Sequence, residues 1–176
     1  MDIGAYPNLR IGAYPNLRMT GKTVGTTSMR FFIAGIMQGS QLGSDLHSQD
    51  YRQRIQELLE QSFEDAEVYD PFANHESSVQ YDDAEGRRVF YGHNRMCREV
   101  DVVVAFVPYA SMGTAIEMWE AHEHGHAAVI AVSPLETNWA VKYCSHAIYA
   151  DLEMFAAALA KGEVQRKITQ VLEARR

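Results

Sequence analysis

The stretch SMGTAIEMWEAHEHG, residues 111–125, carries the side chain best placed in this chain to do chemistry, Glu117. Small residues open it, and the pattern that follows predicts a helix over about 114–124, closed by Gly125 as a left-handed C-cap. Helical spacing sets Gly113, Ala121 and Gly125 at i−4, i+4 and i+8 from Glu117, so the helix face bearing the carboxylate is stripped of bulk. A helix opening near Gly113 also turns its free N–H groups and positive dipole end toward that carboxylate, which favours the ionised form. An ionised, partly desolvated carboxylate beside a cleft is a fair nucleophile or base. The alternative is a solvated glutamate on an outer helix face.

Other chemistry-bearing groups fall away on spacing or charge. His122, His124 and His126 alternate, but on a helix positions 122 and 124 point about 200° apart, so no metal site is expected. Cys97 and Cys144 show neither metal spacing nor a disulfide framework, which suits a reducing, cytoplasmic setting. Acids outnumber bases 23 to 16 for a net charge of −7, which argues against a phosphate-backbone partner and for small-molecule ligands. No apolar run approaches the roughly 18 residues needed to span a bilayer, so no membrane insertion is expected. The loop MQGSQLGSD after the first apolar run matches neither the P-loop nor the dinucleotide fingerprint.

The elements that must position Glu117 come from alternating patterns. With 176 residues, 47% of them hydrophobic, the chain suits one domain with a real core. The octapeptide IGAYPNLR occurs at 3–10 and again at 11–18, so residues 1–28 read as a tag or disordered segment and the fold occupies 29–176. Strands are expected at 31–36, 66–70, 101–107, 127–133 and 146–149. Helices are expected at 48–63, 84–99 and 114–124, in a short stretch around 138–144, and as one amphipathic helix over 151–173. A polar loop should cover 72–83. The β-branched run DVVVAFV at 101–107 reads as a strand buried on both faces, at the sheet centre. Strands interleaved with helices imply α/β architecture: a three-layer, doubly wound, five-stranded parallel sheet of flavodoxin-like order. Ligands then bind beyond the carboxyl ends of the strands, where Glu117 falls.

FFIAG in the first strand, DVVVAFV, and the Ser-x-Gly-x-x-x-Glu of SMGTAIE resemble the nucleoside 2-deoxyribosyltransferase family and its relatives, the nucleoside 5'-monophosphate N-glycosidases. The resemblance covers roughly residues 30–150, and its most specific part is the strand followed by Ser-x-Gly-x-x-x-Glu. It implies that Glu117 attacks the anomeric carbon of the sugar, and that a second nucleobase or water resolves the glycosyl-enzyme with retention. Ser111 matches the position that contacts the sugar, and is equally a helix N-cap.

Three departures refine the expectation. The family's first-strand Tyr, three residues before the glycine, is here Phe32 before Gly35, so no such hydroxyl orients the nucleophile; relatives with Phe there include hydrolases that accept ribose, and the resemblance implies some tolerance of a 2'-hydroxyl. The family's helix-two Asp, eight residues before Asp101, falls on His93, which can serve as a general acid with a pKa near working pH or be structural, with Asp82 or Asp83 as alternatives. The first loop lacks the Arg of the monophosphate N-glycosidases, and Asn138 resembles the transferase Asn that bonds a free 5'-hydroxyl, commonly from a neighbouring subunit. Gln38 either reads a nucleobase edge or is a plain turn residue; Asn74, His75 and Tyr81 share the rim.

The expected catalytic residues are therefore Glu117 and His93, and the substrate-binding set is Phe32, Gly35, Gln38, Ser111, Gly113 and Asn138. The resemblance implies a nucleoside 2'-deoxyribosyltransferase acting on nucleosides and nucleobases without metal or redox cofactor, in a homo-oligomer with shared active sites. The competing readings are a monophosphate N-glycosidase and a non-catalytic nucleotide-binding module.

Overall fold

A computed structural model describes residues 28–38 and 46–175. The expected N-terminal tag, up to residue 27, lies outside the described residues, as does 39–45 of the loop after the first strand. The elements run β1 (Arg30–Gly35), α1 (Asp50–Ser62), β2 (Glu67–Tyr69), α2 (Pro71–Asn74), a 3-10 turn (Ser78–Gln80), α3 (Asp83–Glu99), β3 (Val102–Phe106), α4 (Met112–Glu123), β4 (Ala128–Val132), α5 (Trp139–Cys144), β5 (Ala147–Tyr149), α6 (Leu152–Ala160) and α7 (Glu163–Ala174). The five strands pair in parallel in the order β2-β1-β3-β4-β5, the expected flavodoxin-like arrangement.

The central strands are apolar throughout because helices cover both faces of the sheet. Phe31, Ile33, Val102, Val104 and Ile130 pack on one side against Ile55, Leu59, Phe155 and Ile168 from α1, α6 and α7. Phe32, Ala34, Val103, Ala105 and Ala131 pack on the other against Met96, Met118, Ala121 and Val141 from α3, α4 and α5. Burying each Phe, Ile or Leu contributes roughly 1.5–3 kcal/mol, so these two layers rather than any cap fix the sheet's carboxyl rim. β1 and β3 are neighbours, in register from Phe31↔Val102 to Gly35↔Phe106. The chain leaves β1 for α1 on one face and β3 for α4 on the other, so a crevice opens between their carboxyl ends.

Three expected details differ. The C-terminal helix is two helices, because Gly162 takes φ 70 and the Lys161 and Gly162 N–H groups close α6 on Ala157 and Leu159. The segment after β2 is not merely loop: Asp70 accepts from the Phe72 N–H, Pro71 occupies the first helical position, and α2 forms. Gly125 is not in the left-handed region, since Gly162 is the one positive-φ glycine among the described residues. Its lack of a side chain serves close packing instead, for a Cβ there would lie 2.9 Å from the Arg98 Cα of α3.

Candidate active site at the β1/β3 crevice

β3 ends at Phe106, and after a short turn Ser111 caps α4, its Oγ accepting from the Thr114 N–H and, at 2.9 Å, from the Thr114 hydroxyl. This start sets Glu117 in the second turn, half-buried, on the wall of a cavity of about 200 Å³. Gly113, one turn earlier, shares that wall, and a Cβ on it would meet nothing within 4 Å. Across the cavity stand Met37 after β1, His75 and Tyr81 from the segment after β2, and Val89, Phe90 and His93 from α3. Among the described residues no hydrogen bond or ion pair is made by the Glu117 carboxyl, so its oxygens are available to a ligand.

The electrostatics depart from the sequence expectation. Burial pushes the Glu117 pKa up to about 8, opposed in part by the Arg52 charge. Glu117 is the sixth residue of α4, beyond the four free N–H groups that would favour its anion, and dipole stabilisation fades within the first turn. Desolvation therefore wins over the helix end, and the carboxyl is stored largely protonated at neutral pH.

Arg52 is the functional group that composition and spacing left unmarked. It is 2% exposed. Its guanidinium donates to the carbonyls of Ile33 (3.1 Å) and Gly35 (3.1 Å), to Gln49 Oε1 (2.7 Å) and to Asp70 Oδ1 (2.9 Å). One side chain thus ties the carboxyl end of β1 to the end of β2 and supplies the positive charge that acts on Glu117. A signal did exist: Arg52, Ile55 and Leu59 share one helix stripe, and an arginine on an apolar stripe needs an internal partner. Beside it, Tyr51 stacks on Phe106 with centroids 4.2 Å apart and donates to the Ile36 carbonyl at 3.0 Å. A Cβ on Gly35 would run into the Tyr51 hydroxyl, so this glycine is required for packing beneath the site.

The remaining expected residues divide into two groups. His93 lies in the Glu117 cavity, its Nε2 sharing a 3.2 Å hydrogen bond with the Tyr69 hydroxyl. Burial, and then the charges of His75, Arg52 and Arg88, push its pKa down to about 4. The expectation of a histidine titrating near working pH is corrected accordingly: the imidazole is neutral there. Phe32 is fully buried, stacked on Tyr69 and edge-on to His93, so it braces the cavity from behind. Gln38 is exposed just past β1. Asp82 caps α3, accepting from the Glu85 N–H, and Asp83 is exposed on its first turn.

Ser111 and Asn138 are not on the wall of the Glu117 cavity. They line a second cavity of about 350 Å³ on the other flank of the α4 start, with Val107, Met112, Leu135 and Val141. Asn138 Oδ1 there accepts from the Ala140 and Val141 N–H groups as the cap of α5. The histidines of the α4 end diverge: His122 stacks on His146 and His124 lies edge-on to Trp119. No helix among the described residues is long and apolar enough to cross a membrane. No protein-family model matches the chain, and no curated protein matches it.

Proposed function

We propose that the protein transfers N-glycosyl groups at C1' of nucleosides, as a 2'-deoxyribosyltransferase, with Glu117 as nucleophile. The observation that carries this reading is a half-buried carboxyl, without a hydrogen-bond or ion-pair partner among the described residues, on the wall of a cavity at the β1/β3 crossover, where doubly wound sheets bind ligands. A Glu117 oxygen attacks C1', the C1'–N bond breaks with its electron pair leaving on the base, and a glycosyl ester forms. A second base then attacks C1' and frees the carboxylate, so two inversions give retention. The raised pKa suits this role, because a more basic carboxylate is the better nucleophile once ionised. Arg52 partly offsets the burial, so the anion that attacks forms as pH rises toward about 8.

The same reading has two copies sharing sites. Within one chain Asn138 lines the other cavity, and in this reading it meets a sugar held by Glu117 from another copy. Exposed Met112 on the wall of that cavity, with exposed Trp119 on α4 and Trp139 and Tyr143 on α5, supply apolar surface that a subunit contact would cover.

The test is to incubate the protein with deoxyadenosine, with and without free cytosine, and with the matching monophosphates, following the bases by chromatography. Base exchange that requires cytosine and disappears in Glu117→Ala is the expected result. Base release from monophosphates alone would make it a hydrolase of nucleotides, and silence throughout would leave a binding module.

A further inference from the structure

Breaking a C1'–N bond needs a proton at the departing base as well as a nucleophile at the sugar, and among the described residues no carboxylate of the cavity is free to supply it. Glu117 is the acidic side chain on the cavity wall, and it is engaged at C1'. Asp82 is engaged as the cap of α3, and Glu85 is paired with Arg88 at 2.6 Å. His93 faces the cavity, but its Nε2 is hydrogen-bonded to Tyr69 and the ring is neutral above pH about 4.

One hydrogen-bonded donor pair remains among the described residues of the cavity. The Tyr81 hydroxyl and His75 Nδ1 share a 2.9 Å hydrogen bond, with the two rings edge-on at 88° and both residues on the cavity wall. The backbone holds this pair in place. The His75 N–H donates to the Phe72 carbonyl and the Tyr81 N–H to the Ser78 carbonyl, while α2 itself is capped by Asp70, the partner of Arg52. The charge beneath Glu117 and the pair opposite it are therefore linked through one carboxylate. The His75 ring also rests edge-on to His93, centroids 5.2 Å apart, which limits its rotation.

We propose that Tyr81, positioned by His75, delivers the proton to the departing nucleobase and recovers one from the incoming acceptor. The inference rests on the N-glycosyl-transfer reading above. In the first half-reaction the Glu117 carboxylate bonds to C1', the C1'–N electron pair moves onto the base, and the Tyr81 O–H proton goes to the base nitrogen. The phenolate left behind is stabilised by His75 in its Nδ1–H tautomer, which donates into the tyrosine oxygen. In the second half-reaction the acceptor base attacks C1', its N–H proton passes to the phenolate, and the Glu117 ester bond breaks. Protons and charge balance over the cycle with no further reactant. His75 is a positioning residue, since it touches the tyrosine and not the substrate.

The test compares two leaving groups: deoxyadenosine, whose base needs a proton, and 4-nitrophenyl 2-deoxyriboside, whose nitrophenolate needs none. Tyr81→Phe should lower kcat/KM on deoxyadenosine by about 10²- to 10⁴-fold, the usual contribution of general acid catalysis, and leave the nitrophenyl substrate nearly unchanged. His75→Ala should reduce kcat on deoxyadenosine more than it raises KM, and His75→Asn, which keeps an N–H donor near the Nδ1 position, should recover part of the loss. Equal loss on both substrates, or no loss on deoxyadenosine, overturns the role of Tyr81 while leaving Glu117 chemistry standing. Wild-type protein inactive on both substrates, with no glycosyl adduct, overturns the glycosyl-transfer reading itself and this inference with it.

Discussion

The two cavities that flank the start of α4 both carry polar side chains but differ in what those side chains are free to do. In the one beside Ser111 and Asn138, the side-chain oxygens are already engaged in capping α4 and α5, and the rest of the wall is apolar. In the one beside Glu117, a carboxyl without a partner among the described residues shares the wall with the His93 imidazole and the hydrogen-bonded His75–Tyr81 pair, with the buried Arg52 guanidinium nearby. Polarity alone therefore does not make a site. A polar group becomes reactive where the fold buries it and leaves its hydrogen-bonding capacity unmet.

The sharpest way to break this contrast is to remove one polar group from each cavity. Glu117→Gln should cost base exchange at least about 10³-fold, as loss of a nucleophile does, whereas Ser111→Ala should stay within about 10-fold. Comparable losses in a kcat/KM assay would put the two cavities on an equal footing. The second largest effect is on stability. Arg52→Met strips the guanidinium from Asp70 and from two strand carbonyls and should destabilise the fold by about 3–5 kcal/mol in urea titration, the range for breaking a buried ion pair.

The pH dependence sharpens the contrast further. If the nucleophile must be ionised, kcat/KM on nucleosides rises with pH and flattens above about 8, the pKa to which burial pushes Glu117. Stability runs the other way. The folded pKa of Glu117 lies above its ordinary 4.5, so its contribution is fully present below 4.5 and is lost as pH rises through 8. Glu117→Gln should flatten that decline in urea midpoints measured across the range. His93 has a folded pKa near 4, below its ordinary 6.5, so its contribution is present above 6.5 and is lost as pH falls toward 4. A wild-type midpoint that climbs steadily between 6.5 and 8 would contradict the burial assigned to Glu117.

The smallest effect belongs to the capping cavity. Asn138→Ala should lower stability by about 1 kcal/mol, as loss of a helix cap does. In a shared-site assembly it should also raise KM for nucleosides. Mixing it with Glu117→Ala protein should then restore activity that neither variant has alone; no recovery would confine each site to one chain.

Most of the fold was legible because its central strands are long apolar runs that suit burial on both faces. β3 and β4 fall within a residue or two of expectation, and the parallel order follows from the alternation with helices. The break between α6 and α7 was hidden because apolar spacing continues across Lys161 and Gly162, and the positive φ that ends α6 is a property of the backbone. Glu117 stood out as an acid on a face of small residues. Only Gly113 of that face opens the cavity, however, while Ala121 is fully buried and Gly125 packs on α3. The raised pKa of Glu117 is not legible in the sequence, because helix position is readable from spacing and desolvation is not. The role of Arg52 is not legible from its type, because arginine on a surface helix is usually solvated. Its partner Asp70 lies at the end of another strand, and only the sheet order brings the two together.

The most direct test of the central claim is the intact mass of the protein after incubation with a 2'-fluoro arabinosyl nucleoside, whose glycosyl-enzyme turns over slowly. The expected result is a gain equal to the fluorosugar, mapped by peptide fragmentation to Glu117 and absent in Glu117→Gln. An unchanged mass in protein that exchanges bases, or an adduct on any other residue, would contradict it.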